Sequence, residues 1–246
     1  KTAEEKKEVR EVLQDAYKSN PKNFRTRCSA HIYYKGISIL IDTSPDIKLQ
    51  FKKNKIKNID AVIYSHEHAD QSAGIFELRP FVWKNKKKIP IYGSKQTISR
   101  LKNHYTYCFL PRFGYKPILR ATIIKNNFKI IKNKKFIEII AFDVQHGMIK
   151  STAYVFNKIA YISDCNNIPT KYYKYLENLD YFIIDCLKNN KHPSHFNFAE
   201  ALKLSKILRP KKTILTNLHV DLDYKKLKEK LSSNIIPAYD GLSFNF

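Results

Sequence analysis

The stretch Ser65-His66-Glu67-His68-Ala69-Asp70-Gln71 directly follows the apolar run Ala61-Val62-Ile63-Tyr64 and constrains this chain more than any other. In an extended segment residues i, i+2 and i+4 project to one side. That spacing would let His66, His68 and Asp70 converge just past a buried strand. Imidazole and carboxylate donors together suit zinc, manganese or iron. Three later segments repeat the placement. Apolar runs end at His146 in Phe142-Asp143-Val144-Gln145-His146, at Asp164 in Ala160-Tyr161-Ile162-Ser163-Asp164, and at His219 in Ile214-Leu215-Thr216-Asn217-Leu218-His219. Any one of these alone would read as a structural histidine or a turn aspartate. Together with the first cluster they predict a metal site at the ends of strands.

With 246 residues and 43% hydrophobic content, the chain can bury a sizeable core as one domain. No apolar stretch approaches the 18 or so residues of a membrane span. The amino-terminal segment lacks the apolar core of a secretory signal and is too acidic for a mitochondrial transit peptide. None of the four cysteines forms a C-x-x-C pair, so reduced thiols in a cytoplasmic protein are the simplest reading. The net charge is +23, yet only eight of the 45 basic residues are arginine. Lys, Asn and Ile abound throughout, as an A+T-rich genome would write them. The charge nonetheless favours anionic substrates.

Strand and helix signals alternate along the chain. Ser29–Lys35 and Ile37–Asp42 flank Gly36 as a hairpin, and Ile59–Tyr64 reads as a buried strand. A helix over Asp46–Asn54 and one over Ala73–Trp83, interrupted by Pro80, are expected. Ser94 should cap a helix to about His104. Strands follow at Ile118–Ile124, Phe128–Ile131, Phe136–Val144, Thr152–Phe156 and Ile159–Ile162. A helix after Pro169, a strand at Tyr181–Asp185, a helix at Asn197–Leu208, a strand at Thr213–Thr216, a helix at Tyr224–Leu231 and a strand at Ile235–Ala238 complete a layered α/β pattern. Residues 1–18 differ in composition. Thr2-x-x-Glu5 and apolar residues at helical spacing predict an amphipathic helix ahead of a domain over residues 19–246.

His-x-His-x-Asp followed by a lone His, a lone Asp and a late His resembles the metallo-β-lactamase-fold hydrolases. Within them the chain is similar to the branch holding phosphoribosyl 1,2-cyclic phosphate phosphodiesterase. Supporting segments include Arg25-Thr26-Arg27-Cys28-Ser29, Ile41-Asp42-Thr43-Ser44-Pro45-Asp46, Asp185-Cys186-Leu187 and His192-Pro193-Ser194-His195-Phe196. The resemblance implies a four-layer αββα sandwich, with the helical residues 1–18 standing where relatives have a first strand. It implies that His66, His68 and His146 hold one metal, that Asp70 and His219 hold a second, and that Asp164 bridges the two. The metals would be zinc, one or two ions, or manganese. A metal-bound hydroxide would attack a phosphodiester, a small cyclic one among the candidates, and His195 would protonate the leaving oxygen, with His192 as the next choice. Asp42 would orient a ligand histidine. Gln71 stands where the family's fuller motif has histidine, which predicts a weaker second metal. Arg25, Arg27 and Arg79 are further phosphate contacts to test. A small anionic phosphodiester is the expected partner, with RNA and a second copy of the chain as further candidates. The alternatives are a transfer-RNA 3′-processing type endoribonuclease, which the basic charge favours, and a non-catalytic RNA- or protein-binding member of the fold.

Overall fold

The computed structural model describes residues 20–111 and 114–246. The helix expected over residues 1–18 lies outside them. The chain divides into two compact units.

The amino-side unit comprises Arg27–Val144 and Ile149–Asn157. It opens with β1 (Ala30–Tyr34) and β2 (Ile37–Ile41), the expected hairpin, in register Ala30↔Ile41 to Tyr34↔Ile37. Next come α1 (Ile47–Lys53), β3 (Ala61–Ile63), the short α2 (Ala69–Ser72), a 3₁₀ segment over Ala73–Leu78 and α3 (Arg79–Asn85). Pro80 does not interrupt a helix here. It starts one, because in the first turn its missing N–H has no acceptor to leave unpaired. β4 (Ile89–Gly93), α4 (Lys95–His104), α5 (Thr106–Phe109) and β5 (Leu119–Ile123) follow. Ser94 caps α4 as expected, its Oγ accepting from the Thr97 N–H at 3.1 Å. Asp46 flanks α1 without capping it, and its carboxylate accepts from the Arg27 N–H at 2.9 Å.

Strands β1 to β5 form one sheet in that order, parallel from β2 onward. Parallel strands are covered on both faces and so read as unbroken apolar runs. Leu40, Val62, Tyr64, Ile75, Leu78, Ile91 and Leu101 pack in one cluster against this sheet. Each such aliphatic burial contributes about 1.5–3 kcal/mol. β6 (Asn127–Lys132), β7 (Lys135–His146) and β8 (Ile149–Phe156) lie side by side in order. They are pinned to the first sheet around Ser65. The Thr152 N–H donates to the Ser65 carbonyl at 2.8 Å, and the Tyr154 hydroxyl to the Tyr64 carbonyl at 2.6 Å. The strand end carrying His66 is thereby held rigidly.

The carboxy-side unit contains residues 20–26, Gln145–Met148 and Lys158–Phe246. Its strands are β9 (Ile159–Ile162), β10 (Tyr181–Asp185), β11 (Lys212–Thr216) and β12 (Ile235–Pro237), all parallel. Two helices connect them: α6 (Phe198–Leu208), which starts with a capping box between Asn197 and Glu200, and α7 (Tyr224–Lys230). The segment after Pro169 is a 3₁₀ turn over Thr170–Tyr175 rather than an α-helix. The register Ile184↔Ile162 and Asp185↔Thr216 sets Asp164, Asp185 and Asn217 along the same carboxyl edge of the sheet. That edge is where open parallel sheets bind ligands. Among the described residues no helix is long and apolar enough to cross a membrane.

Candidate metal centre

In the amino-side unit the chain leaves β3 extended through His66 and His68, then turns helical at Ala69. Period-two projection therefore holds for the two histidines but not for Asp70, which sits in the first turn of α2. Asp70 does not join His66 and His68 in a set of donor atoms within 4.8 Å of one another. The intervening Glu67 points the other way, as alternation requires. Its carboxylate accepts from Gln96 at 2.8 Å and from the Thr97 hydroxyl at 3.3 Å, at the start of α4. Gln71 is fully buried, and its backbone carbonyl accepts from the Thr43 N–H at 2.8 Å.

A relay behind His66 sets its protonation. Asp42 is fully buried just past β2, with a left-handed φ of 61°. It accepts from the Ser65 N–H and the Ser65 hydroxyl, both at 2.7 Å. With that hydroxyl proton committed, Ser65 Oγ accepts from His66 Nδ1–H at 3.0 Å. His66 then presents Nε2 as a lone pair, 3.0 Å from His68 Nδ1. Asp42 thus orients a histidine through Ser65 rather than directly. Gly74 keeps this corner tight. A Cβ there would lie 2.0 Å from the Ser44 carbonyl oxygen and 2.6 Å from Ile47 Cγ2.

In the carboxy-side unit the donor atoms of His146, Asp164 and His195 lie within 4.8 Å of one another. His146 ends β7, and its Nδ1 donates to the Ser194 carbonyl at 2.7 Å. The adjacent Gly147 has φ +59°, and a Cβ there would meet Ser194 Cβ at 2.9 Å, so only glycine lets the His195 loop close on this turn. His195 Nδ1 donates to Asp185 Oδ2 at 2.8 Å. Asp185 is fully buried and also accepts from the Cys165 N–H at 3.0 Å and from Asn217 at 3.1 Å. The same Asn217 amide reaches Asp164 Oδ1 at 3.1 Å. Asp164 and Asn217 both take left-handed backbone, with φ of 46° and 64°. Such conformations are tolerated best by Asp and Asn and cluster at functional sites. His192 packs 5.0 Å from His195, ring to ring, and partial burial followed by the neighbouring His195 pushes its pKa down.

His219 stands outside that set. It is exposed, with Nδ1 2.8 Å from Asp221 Oδ1. Arg25 does not offer itself to phosphate. It is tied to the Leu222 carbonyl at 2.9 Å and the His219 carbonyl at 3.4 Å, fixing that loop, and burial pulls its pKa down. Arg27 is exposed and Arg79 lies against aromatic rings.

One regularity runs through both units. His66, His146, His195 and His219 each bond through Nδ1 to an oxygen, respectively of Ser65, Ser194, Asp185 and Asp221. Each therefore presents Nε2. His31, which belongs to no motif, bonds through Nε2 to Ser38 instead. An oxygen partner on the far nitrogen is how proteins fix a ligating or proton-transferring imidazole. The donors fit a divalent transition metal. The 3.0 Å between His66 Nε2 and His68 Nδ1 is near the ~3.3 Å edge that follows from zinc–nitrogen bonds of ~2.0–2.1 Å. Asp185 and Asn217 are the residues that sequence reasoning does not assign to the site. Asp185 carries the same signal as Asp164, a carboxylate ending an apolar run.

A family model described as the β-lactamase superfamily domain matches residues 38–217. The chain belongs to that superfamily. A crystal structure of a diphosphatase from the PhnP family is 29% identical, with a TM-score of 0.83, over 91% of this chain and 85% of that one. The short form of human tRNase Z is 18% identical with a TM-score of 0.65, over 88% and 91% of the two chains. An octanoyltransferase of Porphyromonas gingivalis is 26% identical over 222 residues, 89% of this chain. The chain spans only 44% of that relative's length. The α/β fold class of the metallo-β-lactamase type, expected from the sequence, is the class these matches show.

Proposed function

We propose that this chain is a metal-dependent hydrolase that cleaves a phosphodiester, with a small cyclic phosphate as the favoured substrate class. The observation that carries the reading is the shared imidazole orientation, Nδ1 held by oxygen and Nε2 presented. His66, His68 and His146 would hold one divalent metal, zinc or manganese. Asp70, Asp164 and His219 would hold a second. A metal there supplies a Lewis acid for phosphoryl oxygens and lowers the pKa of bound water. Likeness to the PhnP-family diphosphatase supports phosphoryl chemistry.

The chain's own residues divide the remaining work. Asp42, through Ser65, and the Ser194 carbonyl hold the ligand rings in place. Asp185 holds His195 by its Nδ1–H, which orients Nε2; as an imidazolium, His195 would carry at Nε2 the proton that passes to the leaving oxygen. His195→Ala should lower turnover about 10²–10⁴-fold on an alkyl phosphodiester with metal content unchanged. A nitrophenyl ester, which needs little protonation, should lose far less. Loss of metal in this variant would make His195 a ligand. Full activity on the alkyl ester would move the acid role to His192.

A further inference from the structure

Positive charge in this chain is concentrated by the removal of acids from one stretch. From Gln71 to Ile137 the only acid is Glu77, against sixteen Lys and Arg, whereas the other 179 residues carry twenty-nine basic against twenty-one acidic. A genome-wide bias toward lysine enriches lysine everywhere and does not deplete acids locally. The whole stretch falls in the amino-side unit.

The same stretch exposes aromatic surface around one guanidinium. Arg79 Cζ lies 4.3 Å from the Phe76 ring centroid, 5.4 Å from that of Trp83 and 6.0 Å from that of Tyr115. Tyr107 packs edge-on to Phe76 at 4.6 Å. Trp83 and Tyr115 are 67% and 65% exposed, which leaves their ring faces accessible for stacking. Among the described residues no hydrogen bond or ion pair engages Arg79, whose guanidinium lies over the Phe76 ring. Lys86, Lys87 and Lys88 follow directly after α3 and are all exposed. Exposed rings, a guanidinium lying over a ring and a stretch with sixteen basic residues against one acid are what a single-stranded polynucleotide needs: bases stack on the rings while cations track the backbone.

We propose that this face of the amino-side unit binds single-stranded RNA or DNA through base stacking on Trp83 and Tyr115, with Arg79 and the Lys86–Lys88 run contacting phosphate. The surface uses none of the residues assigned to the metal centre, so it stands or falls apart from the hydrolase reading. Trp83 is the chain's single tryptophan, so its fluorescence reports stacking directly. The experiment titrates the full chain with an oligouridylate of about 16 nucleotides, the upper site size of such platforms, and in parallel with heparin, a polyanion without bases. Oligouridylate should quench Trp83 and heparin should not. By anisotropy of a labelled oligonucleotide, Tyr115→Ala and Trp83→Ala should each weaken binding about 10-fold or more. Replacing Lys86, Lys87 and Lys88 by Gln should flatten the salt dependence by about 0.7 for each phosphate left without its cation. The melting temperature, the control for folding, should be unchanged in all of them. Equal responses to heparin and oligouridylate, or undiminished affinity in both aromatic variants, would overturn the proposal. So would sedimentation showing a dimer that Trp83→Ala dissociates, since the patch would then be an interface between copies.

Discussion

Asp185→Asn tests the proton-transfer arm of the account most sharply, because the structure fixes what an amide can do there. The carboxylate accepts three bonds: Cys165 N–H and His195 Nδ1–H on Oδ2, and Asn217 on Oδ1. An amide oxygen in the place of Oδ2 keeps the first two but turns its NH₂ onto the NH₂ of Asn217. Reversed, it turns NH₂ onto both Cys165 and His195. Either way a donor is left buried without an acceptor, at about 1–3 kcal/mol. The bond to His195 also loses its charge assistance, which roughly halves its strength. Stability should fall by about 1–3 kcal/mol, and turnover on an alkyl phosphodiester by roughly 5–150-fold, the same free energy expressed as a rate. Because Asp185 acts through His195, the effects should not multiply. In a His195→Ala background, Asp185→Asn should change turnover by less than about threefold, within the usual error of independent effects. A steady-state double-mutant cycle, with melting curves on each variant, reads all of this. If the two losses multiply, Asp185 does not work through His195 and the assignment fails.

Two other outcomes follow from the structure. Burial pushes the Cys108 thiol up to about 12 and raises those of Cys165 and Cys186, from 9.0. Above pH 9 the unfolded thiols ionise while the folded ones stay protonated. The unfolded state then binds fewer protons, and stability falls by up to about 1.4 kcal/mol per pH unit per thiol; Cys108→Ala should flatten the fall in melting temperature between pH 9 and 11, and an unchanged slope would contradict the burial argument. Gln71 offers an amide where a histidine would bind more tightly, so titration of apo-protein with zinc should show two unequal phases or a stoichiometry nearer one than two. Gln71→His should strengthen the weaker phase, and two equally tight ions in the unaltered chain would refute the reading.

Most of the strands are legible in the sequence because parallel strands buried on both faces are unbroken apolar runs. Ile159–Ile162 and Tyr181–Asp185 match the structure to the residue. Helix boundaries are legible where a side chain caps, as at Ser94, and illegible where tertiary context decides. Pro80 reads as a breaker in isolation, yet it sits in the first turn of α3, where a missing N–H costs nothing. Asp70 reads as extended because His66 and His68 are, but nothing local marks the turn into α2 at Ala69. Arg25 looks free for phosphate in the sequence because carbonyl partners nearly 200 residues away leave no local trace. Asn217 gives no local signal for a related reason. Its role rests on a left-handed backbone and on two carboxylates, 53 and 32 residues distant, that only the fold brings within its reach.

The most direct test of the central claim is elemental analysis of the protein purified without chelator, set beside His68→Ala and His195→Ala. The unaltered protein should carry at least one zinc or manganese per chain, with strong loss in His68→Ala and full retention in His195→Ala. A metal-free protein that still hydrolyses a phosphodiester, or metal kept in His68→Ala and lost in His195→Ala, would contradict that claim.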